Sequence, residues 1–280
     1  MELEHIAQRP GRLSGLLRGE MKMSAGLMNR LKWGDAITVN GIPCHTDYAV
    51  APGDRIRVRL EEPPAEYPAE TGALTILYED DYILIVDKPA GMLIHPSRSQ
   101  FAGTLANRVL GHYRATGQDS AFHPVTRLDR DTFGIVLLAK NSHVHSLLQQ
   151  TSIRKTYHAL TFGGPAEERG VIDAPIARRP LPSLLRYVAP EGKPSVTEFK
   201  VLERNGLLCK LALHPITGRT HQLRLHCAYK GFPILGDPQY GYGAEDFDLP
   251  HQLLCAKRLE FTHPVTGQFL VLESKMDATI

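Results

Sequence analysis

Residues 61–72 divide the sequence, because they hold three prolines and four glutamates within twelve positions. Proline has no backbone N–H and its ring clashes with the preceding helical turn, so such a stretch belongs neither inside a helix nor in the middle of a sheet. The sequence therefore predicts two folded modules, of residues 1–62 and 73–280, joined by a linker over residues 63–72.

The composition is that of a globular protein. Hydrophobic residues make up 42% of the 280 residues and charged residues 22%, which excludes intrinsic disorder, collagen and a membrane bundle. The longest apolar runs, such as residues 83–86, are far shorter than the roughly 20 residues that span a bilayer. The N-terminal sequence Met-Glu-Leu-Glu-His lacks the basic and apolar segments of a secretory signal. We therefore expect a cytoplasmic protein without a membrane partner.

The sequence contains no recognisable motif for a metal or a nucleotide cofactor. The four cysteines form no C-x-x-C pair, and His221 and His226 lie five residues apart rather than at the i, i+4 spacing of a helical zinc pair. Neither G-x-G-x-x-G nor G-x-x-x-x-G-K-[ST] occurs. We expect no metal and no cofactor.

The first module combines helical and strand patterns with positive charge. Leucines at helical spacing in residues 13–17 and 27–31 predict two helices, and Asn40-Gly41 and the alternating residues 55–60 predict strands. Residues 1–60 carry nine Lys and Arg against six Asp and Glu. Such an excess can attract a polyanion, although basic side chains often only solvate an exposed surface.

Residues 31–60 resemble the S4 RNA-binding module in the strings Lys-Trp-Gly-Asp, Ile-Thr-Val-Asn-Gly and Pro-Gly-Asp. The resemblance covers most of the first 60 residues and implies a small α+β domain whose helices present a basic surface to structured RNA. Phosphate contacts of this kind give affinity and salt dependence but little sequence information. The resemblance assigns them to Arg18, Lys22, Arg30 and Lys32.

The larger module alternates predicted hairpins with few helices, which favours an α+β fold with a mixed, mostly antiparallel sheet over βαβ winding. The predicted strand pairs are residues 74–78 with 82–87, 196–202 with 207–213, and 253–261 with 268–273.

A charged loop containing Asp129 and Asp131 leads directly into the apolar residues 135–139. Aspartates at such a place can form a turn, bind a metal or act as a catalytic carboxylate, and a turn is the commonest of the three. Spacing alone does not choose between them.

Residues 127–134, Arg-Leu-Asp-Arg-Asp-Thr-Phe-Gly, resemble the R-L-D-x-x-T-x-G signature of RluA-type pseudouridine synthases. The family often has histidine where Thr126 stands and serine where Phe133 stands, differences that concern substrate context. The resemblance covers about residues 73–275. Other family strings follow the same order: Lys-Pro-Ala-Gly at 88–91 with His95-Pro96, Lys-Thr-Tyr at 155–157, the string around Gly-Arg-Thr-His-Gln-Leu-Arg at 214–226, and Gly-Asp-Pro at 236–238 with Tyr240-Gly241.

This resemblance implies an isomerase that breaks the bond between uracil N1 and ribose C1′, rotates the base and rejoins it through C5. No redox change or hydrolysis is involved. The essential carboxylate is then Asp129, which attacks C1′ as a nucleophile or removes a sugar proton as a base. Arg224 is the cation beside it, and Tyr157 is the ring that stacks on the flipped uracil.

Two more residues are expected to bind substrate. Lys155 shares a strand face with Tyr157. Arg127 fills the space of the flipped base or binds phosphate, with a local salt bridge to Asp129 or Asp131 as the alternative.

The expected partner is RNA, and the S4-like module favours ribosomal RNA; a monomer is the default. The alternatives are a non-catalytic RNA-binding or ribosome-assembly protein and a metal hydrolase that uses both aspartates.

Overall fold

A computed structural model of the chain describes residues 2–31, 35–62, 67–118, 120–180, 183, 185–241 and 249–279. Within these ranges lie eighteen strands and five helices, in a small front module and a larger module built on one wide sheet. None of the described helices is both long and apolar enough to cross a membrane.

The front module has the two predicted helices and an antiparallel sheet of order β1-β6-β3-β4, with β2 paired to β5. Strand β1 was not predicted. It pairs with β6, a contact between distant residues, and its Glu4 reaches Arg55 and Arg57. The elements are β1 (Glu2–Ile6), β2 (Gly11–Arg12), α1 (Leu13–Gly19), α2 (Ala25–Leu31), β3 (Ile37–Val39), β4 (Ile42–Pro43), β5 (Ala49–Val50) and β6 (Arg55–Arg59).

The larger module has a ten-stranded sheet of order β12-β15-β16-β11-β17-β10-β8-β7, with β18 on β17 and β9 on β10. Among the described strands of this sheet only β10 and β17 pair in parallel, so the predicted α+β class is confirmed. The elements are β7 (Thr75–Glu79), β8 (Ile83–Lys88), α3 (Leu105–Ala115), β9 (His123–Pro124), β10 (Phe133–Ala139), α4 (Ser142–Gln150), β11 (Ile153–Phe162), β12 (Arg169–Asp173), β13 (Ile176–Arg178), β14 (Arg186–Val188), β15 (Val196–Asn205), β16 (Leu208–Pro215), α5 (Gln222–Tyr229), β17 (Leu254–Thr262) and β18 (Phe269–Glu273).

Strands β8 and β10 are buried along their whole length because a helix covers each face of the sheet there. Alternate side chains of a strand point to opposite faces. Val136 and Leu138 therefore pack with helix α3, whereas Ile135 and Leu137 pack with helix α4. This packing fixes β10, the strand that the charged loop enters.

The described part of the predicted linker, residues 67–72, is neither helix nor strand, but it lies against the larger module. The Asn107 side chain donates to the Pro68 carbonyl at 2.9 Å, and the Gly103 N–H donates to the Glu70 carboxylate at 2.9 Å. A side chain at Gly111 would collide with the Glu70 backbone. The segment is therefore part of the larger module's surface.

Candidate active site

The charged loop enters strand β10 beside strand β17, and glycine is required at the point of entry. Gly134 has φ of +106°, and a Cβ there would collide with the backbone of Ala256 on β17. Only glycine adopts this conformation and allows the two backbones to approach so closely. The glycine of the signature thus lets the loop end at the centre of the sheet.

A cavity of about 700 Å³ opens above this junction. It is large enough for a nucleoside with part of its neighbours, since small-molecule pockets span roughly 300–1,000 Å³. The five residues predicted from the larger module all line it, although they come from a loop, a strand and a helix. They are Arg127, Asp129, Lys155, Tyr157 and Arg224.

Arg224, on helix α5, joins two carboxylates. Its Nη1 donates to Oδ2 of Asp129 at 2.9 Å, while Nε and Nη2 each donate to Asp237 at 2.7 Å. Nη2 also donates to Oε1 of Gln239 at 3.0 Å, and the guanidinium carbon lies 5.3 Å from the Tyr240 ring centre. The guanidinium is therefore held on several sides, and such fork geometry orients it precisely enough to fix Asp129.

The buried guanidinium of Arg224 stays charged because of the two carboxylates around it. Burial alone would lower the pKa of Arg224, but the hydrogen bonds and charges of Asp237 and Asp129 outweigh it and raise that pKa. Arg224 is 5% exposed and the Asp129 side chain 30%, so the cation is buried while the carboxylate faces the cavity. The carboxylate of Asp129 is therefore exposed to a molecule bound in the cavity.

Tyr157 lies on strand β11 between the apolar clusters under helices α3 and α5 and contacts both. Burial, and then the negative charge of Asp129, raise the pKa of Tyr157, so its hydroxyl stays protonated at neutral pH. Burial also lowers the pKa of Lys155, two residues earlier on the same strand face. The cavity floor therefore offers an aromatic ring with a hydroxyl donor.

Arg127 and Asp131 do not take part in the ion pair. In the described part of the chain Arg127 forms no salt bridge with Asp129 or Asp131 and is exposed, so the predicted local alternative is not seen. Asp131 contacts its neighbour Arg130 at 3.2 Å. Arg127 is thus available to a bound molecule.

The two positions that depart from the family pattern have structural contacts. The Thr126 hydroxyl accepts from the Leu137 N–H at 2.9 Å, which ties the loop to strand β10. Phe133 is buried in an apolar cluster and meets the His251 ring edge-on at 5.3 Å. Thr126 bonds backbone and Phe133 packs in the core.

Several residues that build the site had no predicted role, although all but Gln239 lie in the matched family strings. Lys88 is fully buried, and its Nζ donates at 2.9 Å to the carbonyls of Pro89, Met92 and Arg130, which ties the first family string to the charged loop. Burial lowers the pKa of Lys88 to about 8, against the attraction of Asp131 and Asp129. The others are His221, Asp237, Gln239 and Tyr240.

Three of the four basic residues predicted on the front module, Arg18, Lys22 and Arg30, do not line the cavity. Arg18, Lys22 and Arg30 are exposed on it, and Nη2 of Arg30 donates to the Ser142 hydroxyl of the larger module at 2.9 Å. Lys32 lies outside the described residues.

Comparison with known proteins gives a consistent result. Residues 82–229 match the sequence profile described as RNA pseudouridylate synthase. The uncharacterized RNA pseudouridine synthase YjbO of Bacillus subtilis is 37% identical over 257 residues, covering 89% of this chain and 90% of that protein. Ribosomal large subunit pseudouridine synthase D of Nitrosomonas europaea is 39% identical, covering 80% of this chain and 69% of that protein. The solved structure of human RNA Pseudouridylate Synthase Domain Containing 1 has a TM-score of 0.61 at 26% identity, covering 76% of this chain and 87% of that chain.

Proposed function

This chain belongs to the RNA pseudouridylate synthase family and is thus an RNA pseudouridine synthase, and on that premise we propose that Asp129 is its catalytic carboxylate and ribosomal RNA its substrate. The observation that carries the first part is the contact between Asp129 and the buried Arg224 inside the cavity. Ribosomal RNA is favoured because two relatives carry the name ribosomal large subunit pseudouridine synthase D.

The site supports a definite division of roles. Oδ2 of Asp129 is held by Arg224, which leaves Oδ1 for the nucleoside. The carboxylate then either attacks C1′ or removes a sugar proton while the bond from C1′ to N1 breaks. The ring of Tyr157 supports the rotating uracil while C5 bonds to C1′. This bond either displaces the carboxylate of Asp129 from C1′ or forms as the abstracted proton returns to the sugar, and the C5 proton then leaves while N1 gains one. Arg127 and Lys155 bind the substrate at the mouth and floor of the cavity.

Tritium release tests this function directly, because the new glycosidic bond at C5 displaces the labelled hydrogen. Ribosomal RNA carrying 5-tritiated uridine should lose label to water on incubation with the protein, equally with and without a chelator. A loss that the chelator stops would favour a metal-dependent reaction, and no loss from any cellular RNA would contradict the proposal. Pseudouridine mapping of cells with and without the gene would then identify the uridine.

We also propose that residues 1–62 form an S4-like RNA-binding domain, separate from a catalytic domain of residues 73–280. Arg18 and Arg30 lie in the last turns of α1 and α2, and Lys22 lies between the two helices. All three are exposed, so their charges are accessible to phosphates. Together with the predicted Lys32 they would hold a folded RNA while one of its uridines enters the cavity.

Changing Arg18, Lys22 and Arg30 together to glutamine should weaken binding to structured RNA and reduce its salt dependence. Each lost phosphate contact lowers the slope of log affinity against log salt by about one, so we expect a slope smaller by about two to three.

The matched control is the triple change of Arg55, Arg57 and Arg59 to glutamine. It removes the same charge from the same module, but these arginines already contact Glu4 and Glu61. Their slope should change by less than about one. Equal effects of the two triple variants in a filter-binding titration would contradict a specific RNA surface on the helices.

A further inference from the structure

His221 lies beside the proposed catalytic carboxylate and is itself held by Tyr240. Nε2 of His221 lies 3.9 Å from Oδ2 of Asp129, on the oxygen that Arg224 also contacts. On the other side of the imidazole, Nδ1 lies 2.9 Å from the Tyr240 hydroxyl, and the two rings meet edge-on at 5.6 Å. The Tyr240 ring also lies against the guanidinium of Arg224.

The hydrogen bonds around Tyr240 favour one position for the ring proton of His221. The backbone N–H of Arg186 donates to the Tyr240 oxygen at 2.9 Å, so this oxygen already accepts one hydrogen bond. With that acceptor role filled, the Tyr240 hydroxyl is oriented to donate to Nδ1 of His221, which accepts with a lone pair. A neutral imidazole with a lone pair on Nδ1 carries its proton on Nε2, the nitrogen that faces Asp129.

The charge state of His221 agrees with this assignment. Burial lowers the pKa of His221, and Arg224 and Arg186 lower it further against the attraction of Asp129 and Asp237. The ring is therefore neutral at pH 7 and has a single ring proton. A lone pair on Nε2 would face the carboxylate, whereas an N–H there is attracted to it.

We propose that Tyr240 holds His221 as the Nε2–H tautomer, and that His221 is a positioning residue which, with Arg224, keeps Oδ2 of Asp129 turned from the nucleoside. Oδ1 is then the oxygen that reacts. This inference rests on the proposed function of Asp129. It adds to the Arg224 cation a neutral N–H that lies 3.9 Å from Oδ2 and is attracted to it, and this N–H is oriented by a tyrosine that itself makes no contact with Asp129.

The backbone at His221 supports a positional role. His221 has φ of +58° and ψ of +17°, the left-handed conformation, at the residue that precedes helix α5. This conformation is uncommon outside glycine and clusters at functional sites. It places the side chain beside the cavity while the carbonyl accepts the Leu225 N–H of the helix at 2.9 Å.

Two substitutions of His221 distinguish a positioning role of its side chain from a purely structural role. His221→Ala removes the donor, whereas His221→Gln carries an amide N–H that can reach about the same place. Both bear the same left-handed backbone cost, so their difference reports the side chain. We expect kcat for tritium release to fall about tenfold in His221→Ala with KM within about twofold, and His221→Gln to remain within about threefold of wild type. Equal kcat values for the two variants would overturn the proposal.

Nitrogen-15 NMR of the imidazoles tests the tautomer without any turnover. The His221 signals are identified by their loss in His221→Gln. At pH 7 they should show an unprotonated Nδ1 and a protonated Nε2, and Tyr240→Phe should give a mixture of tautomers. A proton on Nδ1 in the wild-type protein would overturn the proposal. Failure of the wild-type protein to release tritium would instead count against the proposed function, so the two failures are distinguishable.

Discussion

Asp129→Asn should abolish tritium release from 5-labelled uridine, with a rate at least about 10³-fold below wild type. Asparagine has nearly the same shape, so the cavity and the charged loop remain. Its amide neither attacks C1′ nor takes a sugar proton at a useful rate. RNA affinity should change by less than about threefold, because phosphate contacts elsewhere supply most of the binding free energy.

Asp131→Asn is the matched control for this change. It alters the same loop by the same chemistry, but Asp131 contacts only the neighbouring Arg130 among the salt bridges of the described residues. We expect its rate to stay within about threefold of wild type. A residual rate above one tenth in Asp129→Asn, or equal losses in both variants, would remove Asp129 from the proposed chemistry. Single-turnover measurement with RNA bound in advance separates chemistry from binding.

The elements that sequence predicted correctly are those set by local pattern. Helices α1 and α2 follow the leucine spacing of residues 13–17 and 27–31, and the hairpin of β3 and β4 turns at Asn40 and Gly41. In each case the responsible residues lie within a few positions of one another. Strand β1 has no such signal, because it is stabilised by pairing with β6, about fifty residues later.

Charge summed along the sequence was a poor guide to the surface of the front module. Three of its arginines, Arg55, Arg57 and Arg59, contact Glu4 or Glu61 once the sheet has formed. Their contribution to a field outside the protein is therefore partly cancelled. Among the described residues, the basic side chains outside these contacts include Arg18, Lys22 and Arg30, beside the two helices.

Local sequence patterns also failed to connect the residues of the site. Asp129 and Arg224 are 95 residues apart, and only the family resemblance connected them before the structure placed them 2.9 Å apart. Asp237 and Tyr240 stood in a matched string without a role, since nothing local indicates that a buried guanidinium needs a second carboxylate. That need arises from desolvation, which depends on the completed fold.

The burial of Asp237 determines how much stability is lost when Arg224 is replaced. Asp237 is 2% exposed and accepts two hydrogen bonds from Arg224, so Arg224→Met leaves a buried carboxylate without its cation. The backbone N–H groups of Gln239 and Tyr240 still donate to it and offset part of the loss. We expect the free energy of unfolding to fall by about 3 kcal/mol in urea denaturation, and tritium release to be lost with it.

A second substitution distinguishes lost stability from lost chemistry. Adding Asp237→Asn to Arg224→Met removes the orphaned charge while leaving an amide oxygen for the two N–H groups, so at least about half of the lost stability should return. Turnover should not return, because Asp129 still lacks the guanidinium that holds Oδ2. Recovery of turnover in the double variant would mean that Arg224 acts only through the fold. Arg224→Lys keeps a charge but not the fork, and because one ammonium cannot contact both carboxylates with this geometry, it should be slow even where it is stable.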